Sequence, residues 1–142
     1  MRCLVLFLLF PIPALAWEFA PDPICTLFHQ SPSAQITVTF DPEPSQYQLA
    51  ITLDARNWDP APSFGMSFEG GQALTIGTDR QLIEGNTLSV ADSGFGNVLN
   101  GLQFNQKVTA FTPDLAVVFS LAGAAEPVKQ FRACTNPAPA LS

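Results

Sequence analysis

QITVTFDPEPSQYQLAITL, residues 35–53, is the stretch in which the fold class can be read. Ile36, Val38 and Phe40 fall on one side of an extended chain, and Gln35, Thr37 and Thr39 fall on the other. Asp41-Pro42-Glu43-Pro44-Ser45 follows as a loop of turn formers. Tyr47, Leu49, Ile51 and Leu53 then alternate with Gln48, Ala50 and Thr52. A period of two on both sides of a short loop marks an antiparallel hairpin with one buried face.

Towards the C-terminus, residues 54–62 (DARNWDPAP) read as a Pro-rich loop carrying Trp58. Phe64, Met66 and Phe68 mark a third strand, Gly70-Gly71 a tight turn, and Leu74 and Ile76 a fourth strand. Leu88 and Val90 give a short fifth strand after Glu84-Gly85-Asn86. The period changes in residues 92–105 (DSGFGNVLNGLQFN), where Phe95, Val98, Leu99 and Leu102 fall at i, i+3, i+4 and i+7. That is one face of a helix, with Asp92 or Ser93 placed to cap it. Gly101 lies inside this helix on the flank of the apolar face, where a missing side chain lets the backbone approach the sheet; the alternative is that it keeps a polar strip of Asn97, Asn100 and Gln103 open for a polar ligand. Residues 107–112 and 115–121 return to strand around Thr112-Pro113-Asp114. Pro127 suits the first turn of a short last helix that carries Val128, Phe131 and Cys134.

Towards the N-terminus, residues 17–34 (WEFAPDPICTLFHQSPSA) read as an irregular, Pro-rich arm. Before it stand a positive start (Met1-Arg2), an apolar run (CLVLFLLF, residues 3–10), a Pro11-Ile12-Pro13 break and Ala14-Leu15-Ala16. These are the parts of a secretory signal peptide over residues 1–16, with cleavage expected before Trp17 and delivery to a periplasm or beyond. The apolar run is short for a membrane span, and Cys3 is misplaced for a lipid anchor, so no stable membrane anchor is expected. Residues 136–142 read as a disordered tail. The expected architecture is α+β, in one domain over residues 17–135. It comprises an antiparallel sheet, with curling towards a barrel as one outcome, two short helices and one disulfide.

Cysteine usage fits that compartment. Without Cys3, only Cys25 and Cys134 remain, an even pair for an oxidising space. Neither belongs to a C-x-x-C motif, and two sulfurs with one histidine do not make a structural zinc site. A bond pinning the two ends of the domain together is the economical reading, and no metal or cofactor is expected. Charge excludes another class. Removing Arg2 leaves five basic residues against twelve acidic ones, a net charge of −7. Arg56, Arg80, Lys107, Lys129 and Arg132 are scattered singly, so the clustered cations that duplex nucleic acid needs are missing.

Catalytic groups are scarce. His29 is the sole histidine, so a histidine-activated nucleophile would have to run through it. Asp41 and Glu43 share a loop with two prolines and look like solvated turn residues rather than an acid–base pair. The glycines of GFGNVLNG (residues 94–101) lack the Lys-Ser/Thr of a phosphate loop. No residue is assigned a catalytic role. Candidate binding residues are Trp17 and Trp58, as aromatic surface with core packing or loop anchoring as their commoner use, and His29. Asn97, Asn100 and Gln103 join them as an outer polar strip on the helix.

Trp17 with the Cys25 arm, residues 78–105 (TDRQLIEGNTLSVADSGFGNVLNGLQFN) and residues 122–134 (AGAAEPVKQFRAC) carry a resemblance. Together they resemble a group of small secreted bacterial proteins of undefined function, over nearly the whole domain. Some of that group bear the name of an excinuclease ABC component, which implies nucleotide-driven work on DNA. The chain has neither the phosphate loop nor the basic surface for it. More distantly, the ending of strand, Gly-Ala and short helix with Phe and Cys is similar to the invasion-associated locus B family, without a second cysteine pair. Neither likeness carries a catalytic residue to a position here. The expected function is a periplasmic binding or interaction module, an inhibitor or envelope accessory protein, whose partner is a protein or a small polar ligand. The alternative is a small periplasmic hydrolase using His29 or an acidic pair.

Overall fold

A computed structural model describes residues 16–135. The signal-peptide reading of the segment before Ala16 and the tail reading after Thr135 lie outside the described residues. In chain order the elements are β1 (Glu18–Ala20), β2 (Cys25–Gln30), β3 (Ala34–Asp41), β4 (Gln46–Leu53), β5 (Phe64–Glu69) and β6 (Leu74–Thr78). They continue as β7 (Leu82–Glu84), β8 (Thr87–Asp92), α1 (Gly96–Gln103), β9 (Lys107–Phe111), β10 (Ala116–Ser120) and α2 (Ala125–Thr135).

The hairpin of residues 35–53 is the centre of a six-stranded antiparallel sheet ordered β1-β2-β3-β4-β8-β7. A second, four-stranded antiparallel sheet is ordered β10-β9-β5-β6. Neither sheet closes into a barrel: β1 and β7 are edges of the first, β10 and β6 of the second. Register explains which residues go inside. Ile36 pairs with Ile51 and His29, Val38 with Leu49 and Leu27, and Met66 with Ile76 and Ala110, so each inner face is one continuous apolar surface. Both inner faces and both helices contribute to one core.

Residues 17–34 are not an irregular arm but supply β1 and β2. The prolines at 21, 23 and 32 stand outside the two strands, and Cys25, Leu27 and His29 alternate inward. A histidine at the third inward position hid that alternation. The helix start also differs. Asp92 is the last residue of β8, paired with Tyr47, and its Oδ1 accepts the Ser93 N–H. The helix begins at Gly96 behind Phe95, which offers no side-chain cap. Strand β7 carries no apolar run of its own and exists through its pairing with β8 across a turn whose Gly85 has a φ of 62°.

Helix α2 buries Val128 and Phe131 and packs against β1, β2 and α1. Cys134 on α2 bonds to Cys25 on β2, with Cα atoms 6.0 Å apart. Gly101 confirms the close approach read from its position. A Cβ there would stand 2.5 Å from the ring of Phe68, which is fully buried on β5. The C-terminal end of α1 is held by Asn105, whose Nδ2 donates to the carbonyls of Gly101 and Gln72 at 3.0 and 2.9 Å.

Candidate functional site

The two sheets do not pack equally well along their length. Where β4 and β8 face β5 and β6, a cavity of about 480 Å³ remains, within the ~300–1,000 Å³ usual for small-molecule sites. Leu49, Phe64, Met66, Ile76, Val90 and Phe95 give it an apolar lining. Thr78, Arg80, Asp92 and Asn97 supply its polar groups, and the last three are exposed. Four glycines, at 65, 77, 94 and 96, also line it. Gly65 and Gly77 are directly paired between β5 and β6. The Phe111 ring covers Gly65, where an added Cβ would meet the ring at 2.5 Å. The N-terminal turn of α1 borders the cavity through Gly96, Asn97 and Val98, without a side-chain cap and without an acidic residue.

Among the described residues, the Arg80 guanidinium takes part in no ion pair or side-chain hydrogen bond; only its backbone N–H is used, donating to Thr78 Oγ1. Asp92 accepts from both the backbone N–H and the hydroxyl of Ser93. Of the two exposed charges that line the cavity, the cation is therefore uncommitted and the carboxylate already serves a local turn.

The residues picked out from sequence are dispersed. Trp17 and Trp58 are each 4% exposed and offer no surface to a ligand. Both are anchors: Trp17 Nε1 donates to the Ser120 carbonyl at 2.8 Å, tying the N-terminal segment to β10, and Trp58 Nε1 donates to Ile51 O at 3.1 Å. His29 is also buried. Its ring stacks on Trp17 at 4.7 Å and meets Phe119 edge-on at 6.3 Å. Nδ1 has no hydrogen-bond partner, so no serine hydroxyl or carboxylate is poised on it. Burial pushes the His29 imidazole below its ordinary value, against a smaller upward pull from a hydrogen bond with the Ala16 backbone. A neutral, stacked imidazole is a packing group here.

The polar strip on α1 is divided. Arg132 of α2 donates to Gln103 Oε1 at 2.7 Å and to Asn100 Oδ1, so these two side chains clamp the helices together. Asn97 alone reaches the cavity. Asp41 and Glu43 are joined by a turn, with the Glu43 N–H donating to Asp41 Oδ1, and face solvent. Sequence reasoning missed Arg80 and the Gly65–Gly77 pair. The available signal was glycine in mid-strand at both positions, a mark of a bulge or of close approach by a ligand or backbone. No group of three or more metal-ligating side chains is assembled among the described residues. Nor is any helix among them long and apolar enough to cross a membrane.

No family model and no curated protein matches this sequence, and no solved structure matches this chain.

Proposed function

We propose that this chain is a small-molecule binding protein of an oxidising extracytoplasmic space, and that its ligand sits between the two sheets. The cavity carries the reading: a concave site that combines apolar side chains with a few polar groups and opens to solvent is the usual form of a ligand site. The disulfide supports the compartment, since such bonds persist where thiols are not kept reduced. The leader-like residues 1–16 agree with export, and cleavage before Trp17 would leave that residue anchored by its indole. N-terminal sequencing of the secreted protein should then begin at Trp17; an intact Met1 outside the cytoplasm contradicts the processing.

The binding role is tested with a neutral solvatochromic dye. One dye per protein should bind with a blue-shifted emission, and Ile76→Trp, which fills the chamber, should abolish it while unfolding at a similar temperature. Dye binding that survives in a folded Ile76→Trp protein would place the ligand elsewhere and sink the proposal.

A further inference from the structure

The chemistry at the mouth narrows the ligand. We infer that the cavity takes a free single-chain amphipathic carboxylic acid, its chain between the sheets and its carboxylate on Arg80. This rests on the binding role proposed above and adds the ligand's charge and shape.

Two observations carry it. Aliphatic and aromatic side chains give the cavity its apolar lining, and the charged residues that line it, Arg80 and Asp92, are both exposed. An extended hydrocarbon gains from leaving water there at ~25 cal/mol per Å². At the mouth stands Arg80, a guanidinium with its donors unspent in a protein whose net charge is −6. A planar fork of N–H groups fits a carboxylate in two parallel hydrogen bonds, and it rejects a cationic head. The first turn of α1, which has no side-chain cap, borders the same cavity. Asp92 opposes an anion, but Ser93 already occupies one of its oxygens and the side chain is exposed, where water screens it. The glycines finish the fit. Gly94 and Gly96 have no atom within 4 Å of an added Cβ, so the backbone at the mouth faces open space.

The test compares dodecanoate with dodecyltrimethylammonium, which has the same chain and the opposite charge, both below micelle-forming concentration. Amide resonances of Gly65, Gly77, Gly94 and Gly96 in a ¹⁵N correlation spectrum report occupancy from four sides. Dodecanoate should shift them in a saturable, one-to-one manner, and Arg80→Gln should weaken its binding about tenfold. The cation should bind more weakly than dodecanoate, and its affinity should not fall in Arg80→Gln. Equal binding of both amphiphiles, unaffected by Arg80→Gln, would overturn the acid as ligand while leaving a chain-binding cavity in place. Glycine resonances that neither amphiphile moves would overturn the inference, and with no dye binding either, the binding role as well. Arg80 is exposed, so Arg80→Gln is expected to fold; Arg80→Lys serves as control, retaining the charge but not the fork.

Discussion

The two halves of this sandwich are built from opposite materials. Around β2, β3, β10 and α2 the space between layers is filled by aromatic rings: Trp17 on His29, His29 against Phe119, and Phe131 beneath α2. Beside Ile76 of β6, Val90 of β8 and the start of α1 a cavity opens instead, with Gly94 and Gly96 at its edge. One helix spans both. At its C-terminal half Gly101 rests on Phe68 with no space for a methyl group; at its first residue Gly96 faces open space. The filled half holds the fold together, and the open half is where a ligand can be accommodated without repacking.

The largest effect should come from the staple of the filled half. Replacing Cys25 and Cys134 together by Ser releases a loop spanning 109 residues, which costs roughly 4 to 5 kcal/mol at most. Denaturant unfolding should show that loss in midpoint. If the halves are separate in role, dye affinity extrapolated to native conditions should change little.

Next in size is the contrast within α1. Gly101→Ala should destabilise by about 1 to 3 kcal/mol, despite the better helix propensity of Ala, because the Phe68 ring has nowhere to go. Gly96→Ala should alter stability by less than about 1 kcal/mol, with its sign set by helix propensity. Equal effects at the two glycines in thermal unfolding would erase the distinction drawn here.

The smallest effect concerns His29. Its folded-state value is lowered by burial, so as pH falls below its unfolded value of about 6.5 the unfolded chain takes up the proton first. Stability from this group is complete above that pH and is lost as pH drops through the lowered folded value. If processing removes Ala16, the upward pull goes with it and the direction is unchanged. The melting temperature should therefore fall between about pH 7 and about pH 5, and His29→Phe, which keeps a ring against Trp17, should flatten that slope. A wild-type profile without such a slope would contradict a buried neutral imidazole.

Much of the framework was legible because it depends on short-range periodicity. The alternation of residues 35–53, the helical spacing of Phe95, Val98, Leu99 and Leu102, and the Cys25–Cys134 pairing each appear in the structure. So does the packing role of Gly101. Strand β2 was harder because His29 occupies an inward position, and whether histidine counts as apolar depends on what stacks against it. The helix cap at Asp92 or Ser93 failed since β8 runs on to Asp92 by pairing with Tyr47, a contact 45 positions distant that no local pattern contains. The cavity was least legible. It is a mismatch between two sheets, set by Leu49 and Val90 on one and Phe64 and Ile76 on the other, brought together only by the tertiary fold.

Amide hydrogen exchange with and without dodecanoate tests the division of labour most directly. The account predicts added protection at Gly77, Val98 and their neighbours in β6 and the first turn of α1, with β2 and β3 unchanged at the same pH. Protection that rises uniformly across both sheets, or is confined to β2 and β3, would contradict an open half that receives the ligand.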